Sequence, residues 1–337
     1  MKFLDWFRSE SKHFRATHLP LPSGPKTAVA DVHYVRLWLV QMMLKDGRTL
    51  FDEYTPAVHA AVRFVAGQKT TEVATVAGPP SLPGLDKTEG DMVHGRHALT
   101  GLIPFLGGSI ELAAGLVAYK KEGGHVDTLI GLLGQLSDLL KVPAVGTLVR
   151  VADPVKEGIQ RLAGAGDRRL MLSHTAQFAG TTEAGGNPLN SGYIAVIRDQ
   201  IDPSELSVIN DTLHRQGTPL RGVDAMLLVV EVADTRDDWK TFGEWNGLIQ
   251  EAIEAELEGE SDKAQGLLRQ VRKAINLSPD LTKPDRLRIR MGLEADFKAE
   301  TGGGAGLAPA MVAMSPMERA AMMGPDPATA RDMPDDA

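Results

Sequence analysis

The feature that most constrains the fold is an apolar run at 226–232, with the sequence MLLVVEV. A strand with water on one face alternates apolar and polar residues, whereas this run is apolar at successive positions. The run therefore predicts a strand that is buried on both faces. We expect it to lie in the interior of a sheet that is covered on both sides.

The rest of the pattern predicts the elements around this strand. Strand-like runs lie at 35–43, 169–178 and 193–197, and the leucines of 126–141 are three and four residues apart, as in a helix. After 237 the spacing is helical again. Strands, a helical insert, more strands and then helices do not alternate as βαβ units do. We therefore expect an α+β fold, an antiparallel β-sandwich or irregular barrel with a helical insert and C-terminal helices.

Composition divides the chain into five segments. Three prolines interrupt 18–25, and the residues after 301 are rich in glycine, alanine, methionine and proline. With 43% hydrophobic residues, the part between them can build a substantial core. We assign an amphipathic arm at 1–15, a linker at 16–31, a strand-rich body at 32–236 with the helical insert at 126–163, a charge-segregated and mostly helical segment at 237–300, and a disordered tail at 301–337.

Two stretches have more than one structural interpretation. Residues 101–119 are almost apolar enough for a membrane span, but Pro104 and the pair Gly107–Gly108 interrupt them, so we expect a hairpin joined at the glycines. Residues 286–297 alternate arginines with apolar residues, as an amphipathic strand does. Their apolar residues are also four apart, as in a helix, and the pattern does not decide between the two.

The overall composition excludes several classes of chemistry. The chain has no cysteine, which removes disulfides, thiolate catalysis and cysteine-ligated metals. Its net charge of −8 argues against nucleic acid as the main partner. The first fifteen residues carry scattered charges and lack the apolar core of a secretory signal, so we expect a cytoplasmic location.

No motif identifies a reaction or a cofactor. His94 and His97 are three residues apart in a region that we expect to be a strand or turn, where they would point to opposite faces, so we assign no metal site. Asp237 and Asp238 follow the strongest strand and, with His174, are the best residues available for an enzyme interpretation. The two carboxylates also suit the start of a helix. We assign no catalytic or cofactor-binding residue.

Charge is segregated along the C-terminal segment. Between 231 and 262 there are eleven acidic and two basic residues, whereas between 263 and 298 there are nine basic and four acidic ones. The two blocks could pack against each other, or either could bind a partner of opposite charge. We select Arg286, Arg288 and Arg290 as candidate partner-binding residues.

The N-terminal arm is the other candidate binding element. Phe3, Trp6, Phe7 and Phe14 accompany four basic residues on a segment that we expect to be an amphipathic helix. Such a helix could fold back on the body, dock in the groove of a partner or lie on a membrane surface.

These patterns leave three hypotheses for the function. The first is a non-enzymatic protein-binding or assembly module, acting on a protein partner or by self-association into a homo-oligomer. The second is a membrane-perturbing effector that uses the arm and the hairpin at 101–119. The third is a hydrolase whose site is not visible in the sequence.

Overall fold

The computed structural model describes most of the predicted body and the C-terminal helices. The predicted insert at 126–163, nearly all of the arm and all but the start of the tail lie outside the described residues. The described residues are 15–45, 53–66, 69–78, 92–120, 168–179, 188–236, 238–239 and 243–302.

Within these residues the chain has thirteen strands followed by three helices, and it belongs to the α+β class as expected. The strands are β1 Arg15–Leu19, β2 Tyr34–Met43, β3 Tyr54–Ala66, β4 Lys69–Ala77, β5 Met92–Ala98, β6 Ile103–Pro104, β7 Ser109–Lys120, β8 Arg168–Ala179, β9 Gly192–Ile197, β10 Leu206–Ile209, β11 Thr212–Arg215, β12 Thr218–Pro219 and β13 Ala225–Ala233. The helices are α1 Gly243–Leu257, α2 Ser261–Leu277 and α3 Lys283–Glu300.

The strands form three antiparallel sheets. The first sheet has the order β1–β9–β13–β2–β5, and β6 also pairs with β2. The second sheet has the order β4–β3–β7–β8, and the small sheet has the order β10–β11–β12. No sheet closes into a barrel in the described part of the chain, so of the two predicted architectures the sandwich agrees with the structure.

One apolar core joins the first and the second sheet. Leu228 and Val230 of β13 lie in it together with Ala114 and Leu116 of β7. Because alternate residues of a strand share a face, the facing sides of the two sheets supply this core. The two sheets therefore pack face to face as a β-sandwich.

The strand β13 is buried on both faces, which confirms the prediction from its apolar run. Leu228 faces the sandwich core, whereas Leu227 and Val229 belong to a second core with Leu206 of β10 and Leu213 of β11. The small sheet therefore covers part of the outer face of the first sheet. This second cover explains why apolar residues occupy successive positions of β13.

The hairpin predicted at 101–119 is wrong. Two strands do flank Gly107 and Gly108, but β6 pairs with β2 in the first sheet, whereas β7 pairs with β3 and β8 in the second. The two glycines have φ values of 85° and 78°, which glycine adopts at little cost. Their conformation leads the chain from one sheet to the other, so the flanking strands do not pair.

The first described strand lies before residue 32, where we placed the start of the strand-rich body. The strand β1 lies largely inside the predicted linker and pairs with β9 from Arg15, opposite Ile197, to Leu19, opposite Tyr193. The prolines that indicated a linker begin at Pro20, directly after β1. Their composition therefore obscured a short edge strand in the sequence.

The chain divides into two compact units, a sandwich unit at Met1–Thr235 and a helical unit at Arg236–Ala337. The boundary lies next to residue 236, where we ended the predicted body. The helical unit has its own apolar core, to which all three helices contribute, among them Trp245 of α1, Val271 of α2 and Ile289 of α3.

Helix α3 covers the segment 286–297 that the sequence left open between helix and strand. Pro284 lies in its first turn, where its fixed φ favours the helix. Ile289, Leu293 and Phe297 are buried at a spacing of four residues. This spacing gives a helix one continuous buried face, whereas a strand would bury every second residue.

Candidate functional site

A partly buried network of charged groups holds the start of α3 in the helical unit. Arg236 is 1% exposed, and its guanidinium donates to both carboxylate oxygens of Asp238, over 2.6 and 3.1 Å. Asp285, in the first turn of α3, accepts the backbone N–H of Arg236 at 2.9 Å and Nε of Arg288 at 2.5 Å. Each buried charge thus has an oppositely charged or hydrogen-bonding partner. Such a partner offsets the hydration that a charged group loses when it is buried.

Two of the three arginines selected from the sequence form hydrogen bonds inside the helical unit. Arg288 donates to Asp285 and also to the backbone oxygen of Arg236, at 3.0 Å. Arg286 donates to the backbone oxygen of Ser278 at 2.8 Å. Both side chains therefore hold the helical unit together. Arg290 forms no ion pair among the described residues and is the one of the three that is available to a partner.

The outer face of α3 combines exposed apolar residues with basic ones. Leu287 and Met291 lie one turn apart and are 51% and 62% exposed. Arg290 and Lys298 lie on the same side of the helix and form no ion pair in the part of the chain that the structure describes, whereas Glu294 between them accepts Nε of Arg272 of α2 at 2.9 Å. We call the surface of Leu287, Arg290, Met291 and Lys298 the α3 face. Large apolar side chains that cluster in water commonly mark a protein-binding surface.

The sandwich unit contains a cavity of about 390 Å³, within the range of small-molecule sites. No carboxylate, lysine or arginine occurs among its described lining residues, and His18 is the one histidine among them. The lining residues are His18, Leu19, Pro20, Pro25, Phe178, Pro188, Asn190, Ser191, Gly192, Tyr193, Ile194 and Val230.

His174 lies close to this cavity but does not line it. It shares the inner face of β8 with Phe178, whose ring packs edge-on against His18 at 6.3 Å. Burial, with a smaller effect of His18, lowers the pKa of His174 to about 4. Its Nε2 has no hydrogen-bond partner among the described residues. His174 is therefore a neutral imidazole at neutral pH, and the described residues give it no carboxylate that would orient it as a general base.

A second polar cluster lies on the outer face of the first sheet. Arg36 donates to both carboxylate oxygens of Glu231, and the indole of Trp38 donates to Glu231 at 2.6 Å. The guanidinium of Arg36 lies 4.4 Å from the centre of the Trp38 ring. These contacts join β2 to β13, so we assign the cluster a structural role.

Hydrogen bonds to a carboxylate also hold the neighbouring turn between β10 and β11. Asp211 accepts hydrogen bonds from Arg96, at 2.5 and 3.1 Å, and from the hydroxyl of Tyr193, at 2.7 Å. The hydrogen bond from Arg96 lowers the pKa of Asp211. Burial, together with the bond to Asp211, raises the pKa of Tyr193 to about 12. No sequence pattern indicated this cluster, because its members come from three separate segments of the chain.

The other residues selected from the sequence are not brought together. His94 is exposed and His97 is buried on the strand β5, as expected for positions three apart in a strand. The carboxylate of Asp238 accepts hydrogen bonds from Arg236, and Asp237 lies outside the described residues. Phe3, Trp6, Phe7 and Phe14 also lie outside them. Among the described residues, no group of histidines and carboxylates could hold a metal ion.

Comparison with known proteins does not assign the chain to a family. No protein-family model, curated protein or solved structure matches it. In the described part of the chain, no helix has the length and apolar character needed to span a membrane.

Proposed function

We propose that this chain is a non-enzymatic protein-binding or assembly module that docks a protein partner on the α3 face. The observation that carries the proposal is the exposure of Leu287 and Met291, one turn apart on a helix whose inner face packs in its own core. Two large apolar side chains that lie in water gain free energy when a partner covers them. Arg290 and Lys298 would favour a partner with acidic side chains.

The site residues of the sandwich unit support this choice. The cavity is lined by one histidine and by no carboxylate among the described residues, and the nearby His174 is held neutral. Acid–base catalysis usually needs two positioned groups with different pKa values. The arm with Phe3, Trp6, Phe7 and Phe14 stays a prediction as a second docking element.

The proposal is tested by replacing Leu287 and Met291 with serine in the full chain. Quantitative mass spectrometry of proteins that co-purify from the native cell compares this double variant with the wild type. We expect the bound partner to decrease by about tenfold or more, since each buried apolar side chain contributes roughly 1.5–3 kcal/mol. The fold should be retained, because both side chains are exposed.

A matched control places the same substitution on another exposed surface of the helical unit. Gln270 and Asn276 of α2 are both exposed. The variant Gln270→Ser/Asn276→Ser should bind as the wild type does. Equal recovery of every partner by the Leu287→Ser/Met291→Ser variant and the wild type would contradict a docking role for the α3 face.

A further inference from the structure

We propose that the partner docked on the α3 face is a second copy of this chain, which contributes the outer face of its α1. This inference rests on the protein-binding role proposed for the α3 face and adds the identity of the partner. Its basis is that the helical unit exposes two surfaces of opposite charge, each with a large apolar side chain in water.

The outer face of α1 is acidic. Glu251, Glu254 and Glu258 are three and four residues apart, so they lie on one side of the helix, and all three are exposed. Leu257, which borders them, is 67% exposed. We call the surface of Glu251, Glu254, Leu257 and Glu258 the α1 face.

The acidic and basic blocks neutralise each other only in part on these two faces. The hydrogen bond to Glu260 raises the pKa of Lys263 of α2, and the charges of Glu258 and Glu251 are near enough to contribute to this shift. Glu260 and Lys263 form an ion pair of 2.7 Å across the turn between α1 and α2, where the two blocks meet. Glu251, Glu254 and Glu258 form no ion pair among the described residues, and neither do Arg290 and Lys298. Ion pairs between the acidic and the basic block of the same chain therefore leave both faces charged and accessible to a partner.

The two faces complement each other in charge and in apolar content. An antiparallel alignment that sets Leu257 against Leu287 and Met291 brings Glu254 and Glu251 to the half of α3 that carries Arg290 and Lys298. Glu294 lies in the same half, and its charge is already paired with that of Arg272. The apolar side chains then cover each other, which contributes affinity. The opposite charges lie side by side, which fixes the register of the two helices. Antiparallel helices also place the positive end of one dipole near the negative end of the other.

A second copy supplies the complementary face without any further partner. Each copy carries one α1 face and one α3 face, so two contacts related by a two-fold axis close a dimer, and contacts that do not close give a longer assembly. The whole chain has a net charge of −8, and two copies therefore repel each other at long range. The attraction has to come from the local charges of the two faces.

The experiment measures the mass of the full chain in solution by sedimentation velocity across the micromolar range. One variant, Glu251→Lys/Glu254→Lys, makes both faces basic, and a second, Arg290→Glu/Lys298→Glu, makes both faces acidic. Lysine, arginine and glutamate have similar helix propensity, so the helices should persist. We expect the wild type to associate and each variant alone to associate at least about tenfold more weakly.

Mixing the two variants gives the decisive result. In an equimolar mixture each basic face meets an acidic face, and association should return to the level of the wild type. A control, Arg269→Glu/Lys273→Glu, makes the same charge change on exposed residues of α2 and should associate as the wild type does.

Two results would overturn the inference. One is a wild-type chain that stays monomeric throughout this range. The other is a mixture that associates no better than its components. If the chain is monomeric but the Leu287→Ser/Met291→Ser variant still loses a different co-purifying protein, the self-association is wrong and the docking role of the α3 face stands. If that variant changes neither the mass nor the bound proteins, both proposals fail.

Discussion

His174 and Arg236 show two ways in which single buried polar residues are accommodated in this protein. The guanidinium of Arg236 donates hydrogen bonds to Asp238 and to the backbone oxygen of Asp280, so its buried charge has partners within the helical unit. His174 lies among apolar residues of the sandwich and loses its charge, since burial disfavours the protonated imidazole. His174 therefore makes the stability of the sandwich unit depend on pH.

Replacing His174 with leucine should remove part of the acid sensitivity of the protein. Burial lowers the folded-state pKa from 6.5 to about 4, so the unfolded chain binds this proton at a higher pH than the folded chain does. The corresponding stability is present above pH 6.5 and is lost as the pH falls towards 4. Over this interval the wild type should lose roughly 3 kcal/mol more than the variant.

Urea unfolding at several pH values measures this difference. The control Gln177→Leu introduces the same residue at an exposed position of β8 and should retain the pH dependence of the wild type. If His174→Leu and the wild type lose stability in parallel between pH 6.5 and 4, His174 is not a buried neutral group.

At the scale of elements, periodicity predicted the strand β13 and the helices α1 and α2 correctly. It did not decide whether the segment of α3 is a helix or a strand. The apolar run of β13 has a single structural interpretation, because successive apolar residues are stable in a strand only when both faces are covered. In α3, arginines stand at every second position, as polar residues do in an amphipathic strand. A helix can accommodate two of them on its inner sides because Arg286 and Arg288 donate hydrogen bonds within the unit. The sequence pattern carried no information about those contacts.

Truncation on either face of β13 should destabilise the sandwich unit. Leu228→Ala leaves a cavity in the core between the two large sheets, and Leu227→Ala leaves one under the small sheet. We expect each to lower the free energy of unfolding by about 2–4 kcal/mol. Ile209→Ala, at a position 47% exposed, serves as the control and should cost less than about 1 kcal/mol.

Chemical denaturation of the three variants tests this expectation. A strand covered on one face only would tolerate one of the two truncations. A small effect of Leu227→Ala beside a large effect of Leu228→Ala would therefore show that the small sheet does not close the second core in solution.

At the scale of the whole molecule, the chain consists of two units with separate cores. The helical unit has its own apolar core and a charged network, Arg236, Asp238, Asp285 and Arg288, that lies within it. A unit with its own apolar core and an internal network of paired charges meets the main requirement for independent folding.

The isolated fragment 236–302 should therefore fold. We expect a helical circular-dichroism spectrum and a cooperative thermal transition, with a modest stability of roughly 3–5 kcal/mol because the fragment is small. The fragment with Arg236→Met should unfold at a lower temperature, whereas Arg269→Met, which changes an exposed residue, should not. A gradual loss of helix without a transition would show that the unit needs the rest of the chain.

The sequence by itself determined the α+β class, the doubly buried strand β13 and the first two C-terminal helices, α1 and α2. It could do so because the spacing of apolar residues is a local property that follows directly from the geometry of strands and helices. Only the tertiary structure decided that β6 and β7, neighbours along the chain, lie in different sheets. It also decided that Arg286 and Arg288 are bound internally while Arg290 is available. Arg288 reaches the backbone of Arg236, 52 residues away, and a contact over that separation leaves no periodic trace in the sequence.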